Sequence, residues 1–451
     1  MTAVTDSRRL QLPTTIPALV IGRIGLVRSL GRAGVPVALA RESGSVFERA
    51  SRYCRTFLRL PNLDQNPEDA VSRLEEFGIT QSSRPVVFLN GEADVLLFSR
   101  YRERLNKYFR ILLPDGALLE RLVDKSSFAT LSEELNLPTP RTVIPMVPED
   151  CFAAAEQVGY PCIIKPFRQR RWHTDEIIAR LGLTKAILVH NADHLRNLLP
   201  LLPPIDGHEM IQEYVPGADS DHYDFHTYIR SDGRIRGSLV GHKLRTYPIH
   251  FGQGCYTRYV DEPQVEGVCL SALDRLNYRG VANINVKRHA RTGKIYLLEI
   301  NPRYSLWCGL DAACGVNMPL LQYADAVGRE LPDRRADGKP RRWLWVGNDI
   351  KAAFQYRRCG ELTISRWLRS YFSERGQIVF QVFALDDPGP WLAATWFGSI
   401  DLVRRVPGFV LRRIRRLFRR RKIDSDTAGM CSRAEEEQLT HDSHLSSQRR
   451  R

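Results

Sequence analysis

Long apolar runs are missing from this sequence. No stretch approaches the roughly 20 apolar residues that a membrane-spanning helix needs. Residues 1–15 are polar, with Arg8 and Arg9 but no apolar segment of leader length. A soluble or peripherally attached protein is therefore expected. The nine cysteines stand singly; without a CxxC pair or a ligand-like cluster, neither a disulfide framework nor a structural zinc site is indicated, and a reducing, cytoplasmic setting fits. The GxGxxG spacing is absent. Gly22-Arg-Ile-Gly25 offers only two glycines, and no ribose-binding acid follows at the usual distance, which argues against a dinucleotide fold. There is no HExxH either. His222 and His226 are four apart, but the aromatic–polar alternation around them reads as strand, where that spacing does not make a zinc pair. Cys308 and Cys314 read as small buried residues, since no histidine-centred triad can be drawn around them.

What is present suits a folded, multi-core protein. The chain has 451 residues, 43% hydrophobic and 26% charged, and a net charge of +15 to which arginines beyond residue 400 contribute heavily. Pro17-Ala-Leu-Val-Ile-Gly22 reads as a buried strand, Gly25 to Gly34 as a helix, and Val35 to Ala40 as a second strand. Pro85-Val-Val-Phe-Leu89 extends the alternation, so an α/β domain with a parallel sheet is expected near the N-terminus. Further on come helices over 120–136, 152–158 and 192–202 and strands at Thr142–Ile144, Pro161–Lys165 and Met210–Val215. Two hairpins follow, turned by Ser231-Asp-Gly233 and by Arg291-Thr-Gly293. This second region is α+β in style.

Five features carry the chemistry, in this order: Asp124-Lys125 opening a helix, Tyr160-Pro-Cys-Ile-Ile-Lys165-Pro, Gln212-Glu-Tyr-Val-Pro-Gly217, Lys243-Leu-Arg245, and Leu298-Glu-Ile-Asn-Pro-Arg303. Together they resemble the ATP-grasp superfamily over residues 15–330, and within it the carboxylate–amine ligase-like proteins. The resemblance implies an α/β pre-ATP-grasp domain (1–115), an α+β ATP-grasp domain of two lobes (116–335), a small helical C-terminal extension (336–400), and a basic amphipathic helix with a tail (401–451). It implies ATP with Mg²⁺ or Mn²⁺ as cofactors and small-molecule carboxylate and amine substrates. The reaction implied is ligation of the carboxylate to an amine, or to a thiol, through an acyl phosphate. A phosphotransferase and a non-catalytic ATP-binding regulator at a membrane surface are the rivals.

The resemblance assigns roles residue by residue. A polyphosphate needs cations on its non-reacting phosphates, and Lys125 and Lys165 match the two lysines that supply them. Gln212, Glu213 and Val215 form the hinge strand, with backbone groups of Glu213 and Val215 toward adenine; Asp219 or Asp221 takes the ribose. Glu299 and Asn301 alternate on one strand and so share a face, where with Asn285 they hold the metal. Asn285 stands where relatives carry Asp or Glu. Arg245 and Arg303 resemble arginines that stabilise the transferring phosphoryl group. The glycine-rich loop of relatives is replaced by Phe167-Arg-Gln-Arg-Arg-Trp172, whose arginines either clamp phosphate or recognise an acidic substrate. The strand-end segments Gly22–Gly25 and Asn90–Asp94 are expected to face the substrate.

Residues 403–422 pair a Val410, Ile414, Leu417, Phe418 stripe with dense arginine. This reads as a basic amphipathic helix for an anionic membrane surface, at the inner face, or alternatively one docked on the protein; nucleic acid is not expected.

Overall fold

The computed structural model describes residues 15–42, 47–168, 171–373 and 376–396. The basic helix and tail expected over 401–451 lie outside the described residues. Among the described residues, no helix is long and apolar enough to cross a membrane.

The N-terminal layer runs β1 (Ala18–Ile21), α1 (Ile24–Gly31), β2 (Val37–Arg41), β3 (Cys54–Arg59), α2 (Pro67–Ile79), β4 (Val86–Leu89), α3 (Glu92–Arg100) and α4 (Arg102–Leu105). The sheet is parallel in the order β3-β2-β1-β4. Its inner strands are unbroken apolar runs because both faces are covered. Val20, Leu39 and Phe88 pack toward α1, and Leu19, Ala38 and Val87 toward α2 and α3. Edge strand β3, Cys-Arg-Thr-Phe-Leu-Arg, escapes a reading that looks for such runs, since most of its residues face outward.

Two helices, α5 (Gly116–Val123) and α6 (Lys125–Glu134), replace the single helix expected over 120–136. They meet at Asp124, whose carboxylate accepts the Ser127 amide at 2.8 Å and caps α6. Lys125 thereby opens that helix. Next come β5 (Thr142–Val143), α7 (Asp150–Val158), β6 (Cys162–Pro166), α8 (Asp175–Leu181), β7 (Ile187–Val189), α9 (Ala192–Leu198) and β8 (Glu209–Glu213). Their antiparallel sheet, β5-β8-β6-β7, encloses a small core of Cys151, Ile164, Trp172, Leu195 and Ile211.

The remaining elements are β9 (His222–Ile229), β10 (Ile235–Tyr247), β11 (Gln253–Val260), α10 (Pro263–Arg275), β12 (Gly280–Arg288), β13 (Ile295–Asn301), α11 (Cys308–Ala313), α12 (Met318–Ala326), β14 (Arg341–Leu344), α13 (Val346–Arg358), α14 (Ile364–Ser370) and β15 (Gln377–Phe380). They build a seven-stranded sheet ordered β13-β12-β9-β10-β11-β14-β15, in which only β14 and β15 run parallel. Both expected hairpins form. Gly233 and Gly293 take φ of +89° and +69°, a left-handed turn conformation that glycine enters without strain.

The stretch after residue 335 differs from its helical expectation. Besides α13 and α14 it supplies β14, which pairs with β11 (Tyr256 opposite Leu344), and then β15. Trp343 is buried in the apolar core, and Arg342 donates to the Tyr256 hydroxyl at 3.0 Å. Residues 382–387 then return to the N-terminal layer, where the buried Asp387 carboxylate receives Arg28 Nε at 2.9 Å, Ser51 Oγ at 2.8 Å and the Arg52 amide at 2.9 Å.

Candidate active site

Strand alternation places one row of polar side chains across the seven-stranded sheet. Asn285 lies opposite both Glu299 and Asp224, Asn283 opposite Asn301 and His226, and Lys287 opposite His222. Contacts tie the row together. The Asn285 and Asn301 amides donate to Glu299 Oε1 at 2.6 and 3.0 Å, and Lys243 Nζ reaches Asn285 Oδ1 at 2.7 Å and Asp224 Oδ1 at 2.8 Å. Asn283 Oδ1 is buried with no hydrogen-bond partner among the described residues.

Cations gather over this row. Lys165, at the end of β6, donates to Gln212 Oε1 at 2.9 Å, while Gln212 Nε2 donates to Thr142 at 2.7 Å, so the β8 side chain aims the lysine. Lys125 donates to the Pro166 carbonyl at 3.0 Å, beside it. Burial, and then the neighbouring Lys125, bring the Lys165 ammonium down to about 8; burial also lowers Lys125. Glu299 remains accessible from the cleft although protein atoms crowd it. Burial works to raise its pKa, but the Asn301 amide together with Lys125, Arg303 and Lys185 outweighs that and holds it at about 2. Positive charge exceeds negative here, an arrangement suited to a polyanion.

Four of the expected residues, Arg245, Asp219, Glu213 and Asp221, have partners of their own. A bulge in β10 separates Arg245 from Lys243. Its guanidinium instead makes a two-bond pair with Asp349 of α13 (2.6 and 3.0 Å), donates to Ser370 at 2.9 Å, and lies 4.6 Å from the Tyr256 ring centre. Arg245 is thus not brought to Glu299, because a buried guanidinium next to a buried carboxylate saturates its fork. Asp219 receives Thr246 Oγ1 at 2.8 Å, the His250 amide at 2.7 Å and the Tyr356 hydroxyl. Burial opposes its ionisation, but the His250 and Tyr356 bonds override this and hold the carboxyl below its ordinary range. Glu213 uses its backbone N–H on the Arg141 carbonyl at 2.8 Å, and its carboxylate accepts the Arg141 amide at 3.1 Å. Val215 is a buried apolar wall, and Asp221 closes its own turn through the Ala218 amide at 2.7 Å.

Several residues at the site went unassigned in the sequence. Asp224, Lys243 and Lys287 were findable, since alternation on expected strands puts them in line with Asn285 and Glu299, on the face to which Asn283 of the same strand as Asn285 was expected to contribute. His222 is beside them; burial first, and then Lys243 and Lys287, push its imidazole well below the ordinary range and keep it neutral. Lys185, in the loop after α8, acts electrostatically on Glu299, Lys243 and Lys125. Its loop carries no periodic signal.

No family model matches the chain. Its layered sheets and cation-lined cleft nevertheless define a class, for solved structures share the fold at low identity. Biotin carboxylase from Campylobacter jejuni, solved with an ATP analogue, aligns with a TM-score of 0.53 and 13% identity over 70% of this chain and 72% of that one. The L-amino acid ligase of Bacillus licheniformis gives 0.51 and 14% over 70% and 74%. The chain thus has the fold of these carboxylase and ligase structures. In sequence it is similar to the D-aspartate ligase of Enterococcus faecium (strain Aus0004), 24% identical over 315 residues, which cover 67% of this chain and 74% of the relative.

Proposed function

We propose that this protein is an ATP-dependent ligase that joins a small carboxylate to an amine through an acyl phosphate. One observation carries the reading: Lys125, Lys185 and Arg303 act together on Glu299, with Lys165 against Lys125, on a face that also bears Asn285 and Asn301. In this reading the three lysines hold the phosphates that do not react, and Arg303 faces the phosphoryl group in transfer. The γ-phosphorus bonds to a carboxylate oxygen as its bond to ADP breaks. The amine nitrogen then attacks the acyl carbon, phosphate leaves, and the nitrogen loses a proton.

The donor set fits Mg²⁺, a hard cation that takes oxygen ligands and retains waters and phosphate oxygens. Glu299 supplies a carboxylate held ionised. The Asn301 amide can turn over to present oxygen, the Asn285 oxygen must first give up the bond it accepts from Lys243, and Asn283 Oδ1 is a buried acceptor beside them with no partner among the described residues. Bound there, the metal would neutralise charge on the reacting phosphates. Labelling tests the path: a carboxylate bearing ¹⁸O must deliver one ¹⁸O into the phosphate released with the amide. Unlabelled phosphate refutes the acyl phosphate, and a stable phosphorylated product identifies a phosphotransferase.

A further inference from the structure

The ends of β1, β2 and β4 open toward Arg303, and beyond that guanidinium Asp94 and Arg41 add charges that the nucleotide does not use. Asn90 joins the parts. Its amide N–H bonds the Ile21 carbonyl at 3.1 Å, its side chain donates to the Tyr304 carbonyl at 2.6 Å, and its Cβ lies against Gly22, where an added Cβ would sit 2.9 Å away. Gly22 in turn accepts Arg41 Nη1 at 3.0 Å. A short path of contacts thus runs from Arg41, at the end of β2, to the neighbour of Arg303. Asp94 lies along it: burial raises its carboxyl to about 6 against the pull of the Gly91 and Asn90 amides and of both guanidiniums, and its Oδ2 accepts the Gly91 amide at 2.7 Å.

The partners already present leave binding capacity over. Arg303 makes one long contact, 3.6 Å to the exposed Glu92, and its Nε is buried without a hydrogen-bond partner among the described residues. Arg41 and Arg23 share a single oxygen of Glu48, each at 3.5 Å. A guanidinium with unused donors beside a cleft is a carboxylate receptor waiting for its second bond.

We infer that the cleft takes an amino acid carrying a second carboxylate: the order Arg303, Asp94, Arg41 is complementary to carboxylate, ammonium, carboxylate. The carboxylate at Arg303 is next to Glu299 and is the one activated; Arg41 reads the other, and Asp94 reads the ammonium. This rests on the ligase reading for which carboxylate reacts, but the binding pattern stands by itself.

The test is calorimetric binding to the full chain saturated with Mg²⁺ and a non-hydrolysable ATP analogue. Aspartate and glutamate of both hands are compared with alanine, which lacks the second acid, and succinate, which lacks the ammonium. At least one amino diacid should bind about tenfold or more tighter than alanine and than succinate, as expected where a polar site is left unpaired. Arg41→Ala should erase the preference over alanine, and Asp94→Asn the preference over succinate. Arg41→Lys, which keeps a charge for Glu48, covers the case in which Arg41→Ala does not fold, and melting temperatures report folding for each. Equal binding of alanine and aspartate, equal weakening of both by the Arg41 variants, or no binding of any diacid overturns the inference. Diacid binding without ADP release in the presence of any amine would leave the inference standing and refute the ligase reading instead.

Discussion

Replacing Lys165 by methionine should strengthen the empty fold while weakening nucleotide binding. The ammonium is brought from an ordinary 10.5 down to about 8 by burial and by Lys125. At about 1.4 kcal/mol per pH unit, that displacement is a penalty of about 3 kcal/mol on the folded state at pH 7. Methionine removes it, but leaves Gln212 Oε1 without its donor, which costs about 1 kcal/mol. The net expectation is a gain of about 2 kcal/mol. The direction with pH follows from the lowered value. Below about 8 both folded and unfolded lysine are charged and the penalty is complete. Between about 8 and 10.5 only the unfolded chain holds the proton, so the wild-type protein gains stability as pH rises and the advantage of methionine fades. ATP has the opposite preference. Loss of a charged contact should weaken it by about 1.5–3 kcal/mol, or roughly 10- to 150-fold. Urea melts at pH 7 and pH 10, with calorimetric titration of an ATP analogue, check both parts. A variant destabilised at pH 7, or one that binds nucleotide like the wild type, would refute the reasoning.

Glu299→Gln should raise the Mg²⁺ needed for half-maximal turnover by at least the roughly 10–100-fold that loss of even an outer metal contact produces; a rate titration in Mg²⁺ at fixed ATP checks it, and an unchanged midpoint removes Glu299 from the metal. Arg245→Met strands the buried Asp349 carboxylate, so denaturant melts should show a loss of about 3–5 kcal/mol. Full stability with lost turnover would instead restore Arg245 to the chemistry. Truncation after residue 400 removes the basic segment 403–422, and co-sedimentation with anionic but not neutral vesicles should vanish while ADP release persists; binding that survives truncation sinks the membrane assignment.

The residues that the sequence made legible lie on regular elements. Glu299, Asn301 and Asn285 could be set on one face because a strand has a period of two, and the Arg291-Thr-Gly293 turn makes their two strands neighbours. The same rule applied across β10 misplaces Arg245, because a bulge adds a residue that no pattern announces. Edge strand β3 and short β14 were illegible for another reason. Each is stabilised by a sheet already present, so neither needs a strong pattern of its own. Lys185 belongs to a loop, where position follows from packing and not from periodicity.

Asn285 shows how an amide in place of the expected acid is absorbed locally. An acid there would stand directly beside Glu299 and Asp224, and three adjacent carboxylates repel one another. With an amide at that position, Lys243 can bridge Asp224 and Asn285 at 2.8 and 2.7 Å, and the amide nitrogen can still donate to Glu299. The negative charge expected on this strand is thus carried one strand over, on β9, where Lys243 neutralises it. Glu299 remains the carboxylate of the row with no paired ammonium of its own; the cations that hold it at about 2 come from outside the row, in Lys125, Arg303 and Lys185. Those cations are the ones a polyphosphate would recruit. Its arrival would take them from Glu299 and leave that carboxylate in need of a new cation, so in the proposed reading nucleotide and Mg²⁺ favour each other at this site.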